Sequence, residues 1–191
     1  MAMIFLNGCT SAGKTSIAQA LQARLDPPHL HYGIDDAFAM LPLRLHDHAD
    51  GFFFDRDVRG LVRLNHGPFG AATLRAYRRA AAVIAGMVDI IVDEVVLDAA
   101  FAADWISVAR NLDVVAIGIH CDLDELERRE VVRGDRLAGQ ARGQYDIVHR
   151  WFRYDLEIDT TSARPEAAAD TIIAALDTCD RPRRLTARGD A

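Results

Sequence analysis

Gly8-Cys9-Thr10-Ser11-Ala12-Gly13-Lys14-Thr15 satisfies the pattern G-x-x-x-x-G-K-[ST] at every fixed position. The pattern has a mechanism behind it. Its glycines let the backbone turn tightly, and successive N–H groups then point inward as a nest for anionic oxygens. A helix starting near Lys14 adds its positive dipole end. Lys14 brings a cation to the β- and γ-phosphates of a nucleoside triphosphate, and the Thr15 hydroxyl is suited to ligate Mg²⁺. The flanks agree with this reading. Residues 4–7 form a short apolar run that reads as a buried strand, and Ile17, Ala18, Leu21 and Leu25 recur at helical spacing. Gly8, Cys9, Thr10, Ser11, Ala12, Gly13, Lys14, Thr15 and Ser16 are therefore the candidate phosphate-binding set. A bare glycine-rich turn would give no reason for Lys-Thr. Lys14 is expected to face solvent while the loop is empty.

Outward from the loop, strands alternate with helices. Short strands are expected over residues 30–34, 90–92, 114–120 and 156–159. Helices are expected over 69–87, 99–111 and 123–132, and from Pro165 to about residue 178. Asp35-Asp36 is suited to cap a further helix that stops before Pro42. Residues 43–67 are the least regular stretch and read as a long loop or hairpin insertion, where substrate contacts often lie. Residues 181–191 are Arg-rich and non-periodic and read as a frayed tail. Apolar strands alternating with helices indicate an α/β domain, a parallel sheet covered on both faces, over residues 1–180.

Several residues carry candidate chemistry. Asp93 and Glu94 end the apolar strand Ile90-Ile91-Val92, where a carboxylate can hold magnesium; an ordinary strand-end acid is the alternative. Asp35 follows the second strand, at the sheet edge where ligands of open parallel sheets collect. It can take the proton of an attacking hydroxyl, or simply cap a helix. Arg133 and Arg136 flank Gly134-Asp135 and suit a lid that spreads charge over phosphoryl oxygens, or a solvated turn. His46-Asp47-His48 lacks the further ligands of a zinc site and reads as a polar surface. Phe52-Phe53-Phe54 reads equally as the wall of an apolar pocket or as a hairpin strand.

Composition excludes other classes. The chain has 191 residues, enough for one domain with a short lid, and half of them are hydrophobic. Aromatics are only 7%, so aliphatic residues must fill most of the core. A net charge of −6 argues against general nucleic-acid binding, which relies on basic surfaces. Cys9, Cys121 and Cys179 show no metal-ligand spacing and read as free thiols. The N-terminus lacks a secretory pattern, and no apolar run approaches the ~20 residues of a membrane span. These features point to a cytoplasmic protein without a membrane partner.

The sequence resembles the chloramphenicol phosphotransferase-like family of P-loop kinases, from Ile4 to about Leu176. Besides the phosphate loop, the shared pieces include Gly33-Ile34-Asp35, Leu41-Pro42-Leu43, Gly67-Pro68 and Ile91-Val92-Asp93-Glu94-Val95. Arg133-Gly134-Asp135-Arg136, Gly139, Val148-His149, Tyr154-Asp155 and Asp159-Thr160-Thr161 complete the set. The resemblance implies a three-layer P-loop kinase fold with a five-stranded parallel sheet of order 2-3-1-4-5. It also implies a lid near residues 133–143 and an ATP-dependent kinase that phosphorylates a hydroxyl of chloramphenicol. Asp35 would be the catalytic base, Arg133 and Arg136 the lid arginines, and Asp159-Thr160-Thr161 would lie near the adenine-side loop. The departures fall mainly between Arg44 and Asn65 and in the helix after Gly67-Pro68, which should shape the acceptor pocket. Rival readings are an NTP hydrolase, a toxin-like kinase acting on a sugar-nucleotide or macromolecule, and a non-catalytic nucleotide-binding module.

Overall fold

A computed structural model describes residues 3–134, 137–177 and 183–189. The chain starts with strand β1 (Met3–Gly8), helix α1 (Lys14–Gln22), β2 (Leu30–Gly33) and α2 (Ile34–Ala39). After a 3-10 turn come β3 (Phe52–Arg56), β4 (Val62–His66) and α3 (Pro68–Ala85). β5 (Ile90–Glu94), α4 (Ala99–Ala109), β6 (Val114–His120), α5 (Leu123–Arg133) and α6 (Gln140–Tyr145) follow. The last elements are β7 (Phe152–Arg153), β8 (Leu156–Asp159), α7 (Pro165–Asp177) and β9 (Thr186–Ala187).

β2, β5, β1, β6 and β8 lie side by side in that order as a five-stranded sheet. Every neighbouring pair is parallel. Numbered among themselves these strands run 2-3-1-4-5, the expected order. Successive side chains of a strand point to opposite faces, and both faces are covered. Met3, Phe5, Ile90, Val92 and Ala116 pack with Tyr77 of α3 and Trp105 of α4. Ile4, Leu6, Ile91, Val115 and Ile117 pack with Ile17 and Leu21 of α1 and Ile172 of α7. Burying one such side chain stabilises by about 1.5–3 kcal/mol, so the two layers lock the sheet from both sides. Local signals set the helix starts. Pro68 opens α3, and Asp98 caps α4 by accepting from the Phe101 N–H at 2.7 Å.

The parallel register aligns the strand ends that matter. Gly33 lies opposite Asp93, and Asn7 lies opposite Glu94. The phosphate loop, the start of α2 and the acid pair therefore share one edge of the sheet, as the crevice rule for open parallel sheets requires.

Two expectations need correction, at Asp35 and at the tail, and of the two readings offered for residues 43–67 the hairpin is the one present. β2 stops at Gly33, so Asp35 lies in the first turn of α2 rather than at a strand end. The irregular stretch contains an antiparallel hairpin, with Phe52 opposite His66 and Arg56 opposite Val62. Residues 183–189 do not fray. Leu185 is buried, β9 pairs with β7, and the Arg183 carbonyl accepts from the Val114 N–H at 3.1 Å. Arg136, Asp135 and Cys179 lie outside the described residues, as do 181–182 and 190–191. No helix among the described residues is long and apolar enough to cross a membrane.

Candidate active site

The phosphate loop is tightly wound. Gly13 sits at φ 87° and Ser11 at φ 62°, both in the left-handed region. Gly8 passes so close to β6 that a Cβ would run into the Ile119 carbonyl. Burial pushes the Cys9 thiol up to about 12 despite the nearby Lys14 cation, so it packs as a small apolar group. Ser11 Oγ is buried with no hydrogen-bond partner among the described residues. Lys14 departs from expectation: it is buried, with only 6% of its surface exposed. Its Nζ folds back to donate to the Cys9 carbonyl at 2.9 Å and lies 3.7 Å from Asp93 Oδ1. A buried cation needs such partners, which is why the side chain turns inward.

The two acids at the end of β5 part company. Asp93 faces α1. It accepts from the Thr15 hydroxyl at 2.6 Å and lies 3.6 Å from His31 Nε2. Burial opposes its charge, but Lys14, His31 and Thr15 outweigh burial and hold its carboxyl below the usual value. Glu94 points to the other face, toward α3 and α4. It accepts from Trp105 Nε1 and from the Val95 N–H, each at 2.9 Å. Burial raises its pKa, against the Arg78 charge and these two donors. Glu94 therefore does not share the Thr15 hydroxyl with Asp93, although both were candidates for the magnesium side.

At α2 the capping and cleft roles also separate. The Asp36 carboxylate accepts from the Gly33 N–H at 3.0 Å and closes the helix start. Asp35 is exposed and lines the same cleft as Lys14 and Thr15. Arg133, at the end of α5, lines that cleft as well.

The cleft encloses about 1200 Å³. Phosphate-loop residues form one end, and Phe38, Leu41, Phe52, Phe54 and Leu64 give it an apolar wall. Phe52 is buried edge-on against Phe38, while Phe54 remains 38% exposed at the cleft. The phenylalanine run is thus both hairpin strand and pocket wall. His46 also lines the cleft, its Nε2 3.3 Å from the Leu41 carbonyl, and His48 Nδ1 accepts from the Asp50 N–H. Among the described residues no group of three His, Cys, Asp or Glu side chains is arranged to hold a metal ion.

Sequence reading missed other residues here. Arg129 donates to the carbonyls of Thr160 and Thr161 and is paired with Glu125 at 2.7 Å. Its guanidinium lies beside Gly13. The available signal was helical spacing, because Arg129 and Arg133 are four residues apart on one face of α5. Thr160 Oγ1 donates to the Ala12 carbonyl at 2.9 Å and ties the loop after β8 to the phosphate loop. Gln144 Oε1 accepts from the Thr10 N–H at 2.7 Å. No local pattern marks Gln144, since the contact spans 134 residues of sequence.

Comparison with known proteins bears on the family and the fold. The model of the family described as chloramphenicol phosphotransferase-like protein matches residues 1–177. Two Mycobacterium tuberculosis proteins, provisionally named O-phosphotransferases, are 31% identical over 189 residues, covering 94% of this chain and 84% of theirs. Among solved structures, the Mycobacterium tuberculosis APS kinase in complex with AMPPNP and APS aligns with TM-score 0.65 at 17% identity, over 92% of this chain and 97% of that one. The Deinococcus radiodurans tunicamycin resistance protein aligns with TM-score 0.57 at 20% identity, over 98% of both chains. Shikimate kinase from Acinetobacter baumannii in complex with shikimate aligns with TM-score 0.56 at 11% identity, over 93% and 94%. These structures share the fold, a P-loop kinase. With the family model matching nearly the whole chain, this protein belongs to the chloramphenicol phosphotransferase-like family and is a kinase-like phosphotransferase of P-loop fold.

Proposed function

We propose that the chain is an ATP- and magnesium-dependent kinase that places the γ-phosphate on a hydroxyl of a small, partly apolar molecule, with chloramphenicol or a related antibiotic as the first candidate. One observation carries the reading. Lys14, Thr15 and Asp93 converge at the phosphate-loop end of a cleft that also holds Asp35 and an apolar wall. Ser11 Oγ, buried with no hydrogen-bond partner among the described residues, and the left-handed turns at Ser11 and Gly13 suit a loop shaped for phosphate.

Lys14 and the loop amides would hold the phosphates, and Thr15 with Asp93 would hold the magnesium ion. Bound there, the ion would supply positive charge against the β- and γ-oxygens. Asp35 accepts the proton of the acceptor hydroxyl and aims its oxygen at the γ-phosphorus. Arg133 and Arg136, together with Arg129, spread charge over the transferring group. ATP and R–OH give ADP, the phosphate ester R–O–PO₃²⁻ and a proton. Support for a hydroxyl acceptor comes from the family and from the O-phosphotransferase relatives. The acidic chain argues against a nucleic-acid acceptor. A cytoplasmic location goes with this reading and with the free thiols of Cys9 and Cys121.

The test is a panel of hydroxylated compounds, headed by chloramphenicol, with ATP and Mg²⁺. ADP and product mass are both measured. Gain of one phosphate on chloramphenicol supports the named acceptor. Transfer only to another compound keeps the kinase and discards chloramphenicol. ADP release indifferent to every acceptor favours a hydrolase and overturns the proposal.

A further inference from the structure

The phosphate loop is braced from outside its own strand and helix. The Thr10 N–H donates to Gln144 Oε1 at 2.7 Å, and both residues are buried. Gln144 belongs to α6, a helix of six residues. A helix that short cannot hold itself by propensity, so neighbours must set its position. On one side the buried Glu130 accepts from the N–H groups of Gly139 at 2.6 Å and Ala141 at 3.0 Å. On the other side α6 lies directly against β4. Arg63 donates to the Gly143 carbonyl, and a Cβ on Gly143 would run into the Val62 carbonyl. β4 belongs to the hairpin whose Phe54 and Leu64 line the cleft.

We propose that Gln144 is a positioning residue for the phosphate loop, and that α6 transmits the position of the β3–β4 hairpin to that loop through Arg63, Gly143 and Gln144. The inference rests on reading the loop as a nucleotide site. The Thr10 amide precedes Ser11, whose left-handed φ of 62° sets the turn of the nest. Without the Gln144 oxygen the buried Thr10 N–H has lost its acceptor, and the turn relaxes to find another. The donors beyond it then no longer converge on phosphate. The hairpin and the nucleotide loop, which both line the cleft, thus behave as one mechanical unit.

The test uses the full chain and MgADP as probe, with calorimetric affinity and thermal unfolding measured in parallel. Gln144→Met keeps the side-chain length but removes the acceptor oxygen. It should weaken MgADP about ten-fold, the effect of one buried donor left unpaired. Arg63→Met cuts the link on the hairpin side and should weaken MgADP about three-fold. The double variant should be no weaker than Gln144→Met, because both changes interrupt one path. Arg63→Met reports on the same path if Gln144→Met does not fold. Gln144→Met with lowered melting temperature but MgADP affinity within two-fold of wild type would show a merely structural contact and overturn the proposal. Multiplying effects in the double variant would overturn the shared path. Wild-type protein that does not bind MgADP would sink the nucleotide site itself, a separate and visible outcome.

Discussion

Lys14→Ala is the most informative single change, because Lys14 combines a proposed role with an observed one. In the proposed nucleotide site it would be the cation for the β- and γ-phosphates, and removing such a contact costs on the order of 10²-fold or more in rate. It is also the buried partner of Asp93, 3.7 Å away in side chains that are 7% and 8% exposed. Truncation leaves the Asp93 carboxylate with the Thr15 hydroxyl at 2.6 Å and His31 at 3.6 Å. Breaking a close buried pair costs about 3–5 kcal/mol. Here the separation is long and two partners remain, so about 1–3 kcal/mol is expected. For a chain of this size that is a fall of roughly 3–10 °C in melting temperature. The loss should also depend on pH. The folded-state pKa of Asp93 is depressed, so its stabilisation is present above the unfolded carboxylate value and is lost as pH falls through the folded value. Lys14→Ala removes the largest favourable contribution and raises that folded value. Acid unfolding should then begin at higher pH than in wild type. The assay is turnover with a verified acceptor, plus thermal unfolding at a series of pH values. Near-normal turnover would refute the phosphate-loop assignment. Lost turnover with an unchanged melting curve at every pH would refute the buried pair.

Two further outcomes follow from the cleft. Asp35→Asn should leave MgADP binding intact and lower kcat by roughly 10²-fold, or less if positioning outweighs proton transfer in a loose transition state; wild-type kcat would move the base elsewhere. Arg133→Ala should lower kcat more than it weakens nucleotide binding, whereas Arg129→Ala, which also loosens the Thr160–Thr161 carbonyls, should raise the MgADP dissociation constant as well. Calorimetry beside steady-state kinetics separates the two arginines, and a change that only raises the MgADP dissociation constant would mark that arginine as a ground-state clamp.

The parallel sheet and the phosphate loop were legible because each rests on local pattern, whereas the strand order came only with the family resemblance. Apolar runs at strand length, helical spacing after Lys14 and an eight-residue motif need no tertiary information. The choice between Asp93 and Glu94 was also within reach. Neighbours on a strand point to opposite faces, and α1, which carries Thr15, packs on the face of Ile91 and Leu6. Odd-numbered Asp93 had to be the acid that meets Thr15. The burial of Lys14 was not legible, because it depends on the Cys9 carbonyl and Asp93 closing around it. Nor was the docking of residues 183–187, where the Arg183 N–H donates to Asp113 seventy residues back and β9 pairs with the distant strand β7. Gln144 had no signal at all, since its meaning comes from a contact made only after folding.

Residues 44–65, where departures from the family were expected from the sequence, are also where the structure divides labour most sharply. The hairpin presents Phe54 and Leu64 to the cleft, but on its second strand Val62 and Arg63 are fixed against Gly143. Arg63 is further held by Asp57 at 2.8 Å, and Asp57 also accepts from the N–H groups of Arg59 and Leu61, closing the hairpin turn. A change of acceptor is therefore cheap at Phe54, which is partly exposed at the cleft, and costly at 62 and 63, and also at Phe52, which is buried in the core against Phe38. Substitution at 54 reshapes the apolar wall alone. Substitution at 62 or 63 moves α6, and with it the oxygen that holds Thr10. An acceptor pocket can drift in sequence only where it is uncoupled from the nucleotide loop, so variation in this family should concentrate on the β3 side of the hairpin and spare the Arg63–Gly143 contact.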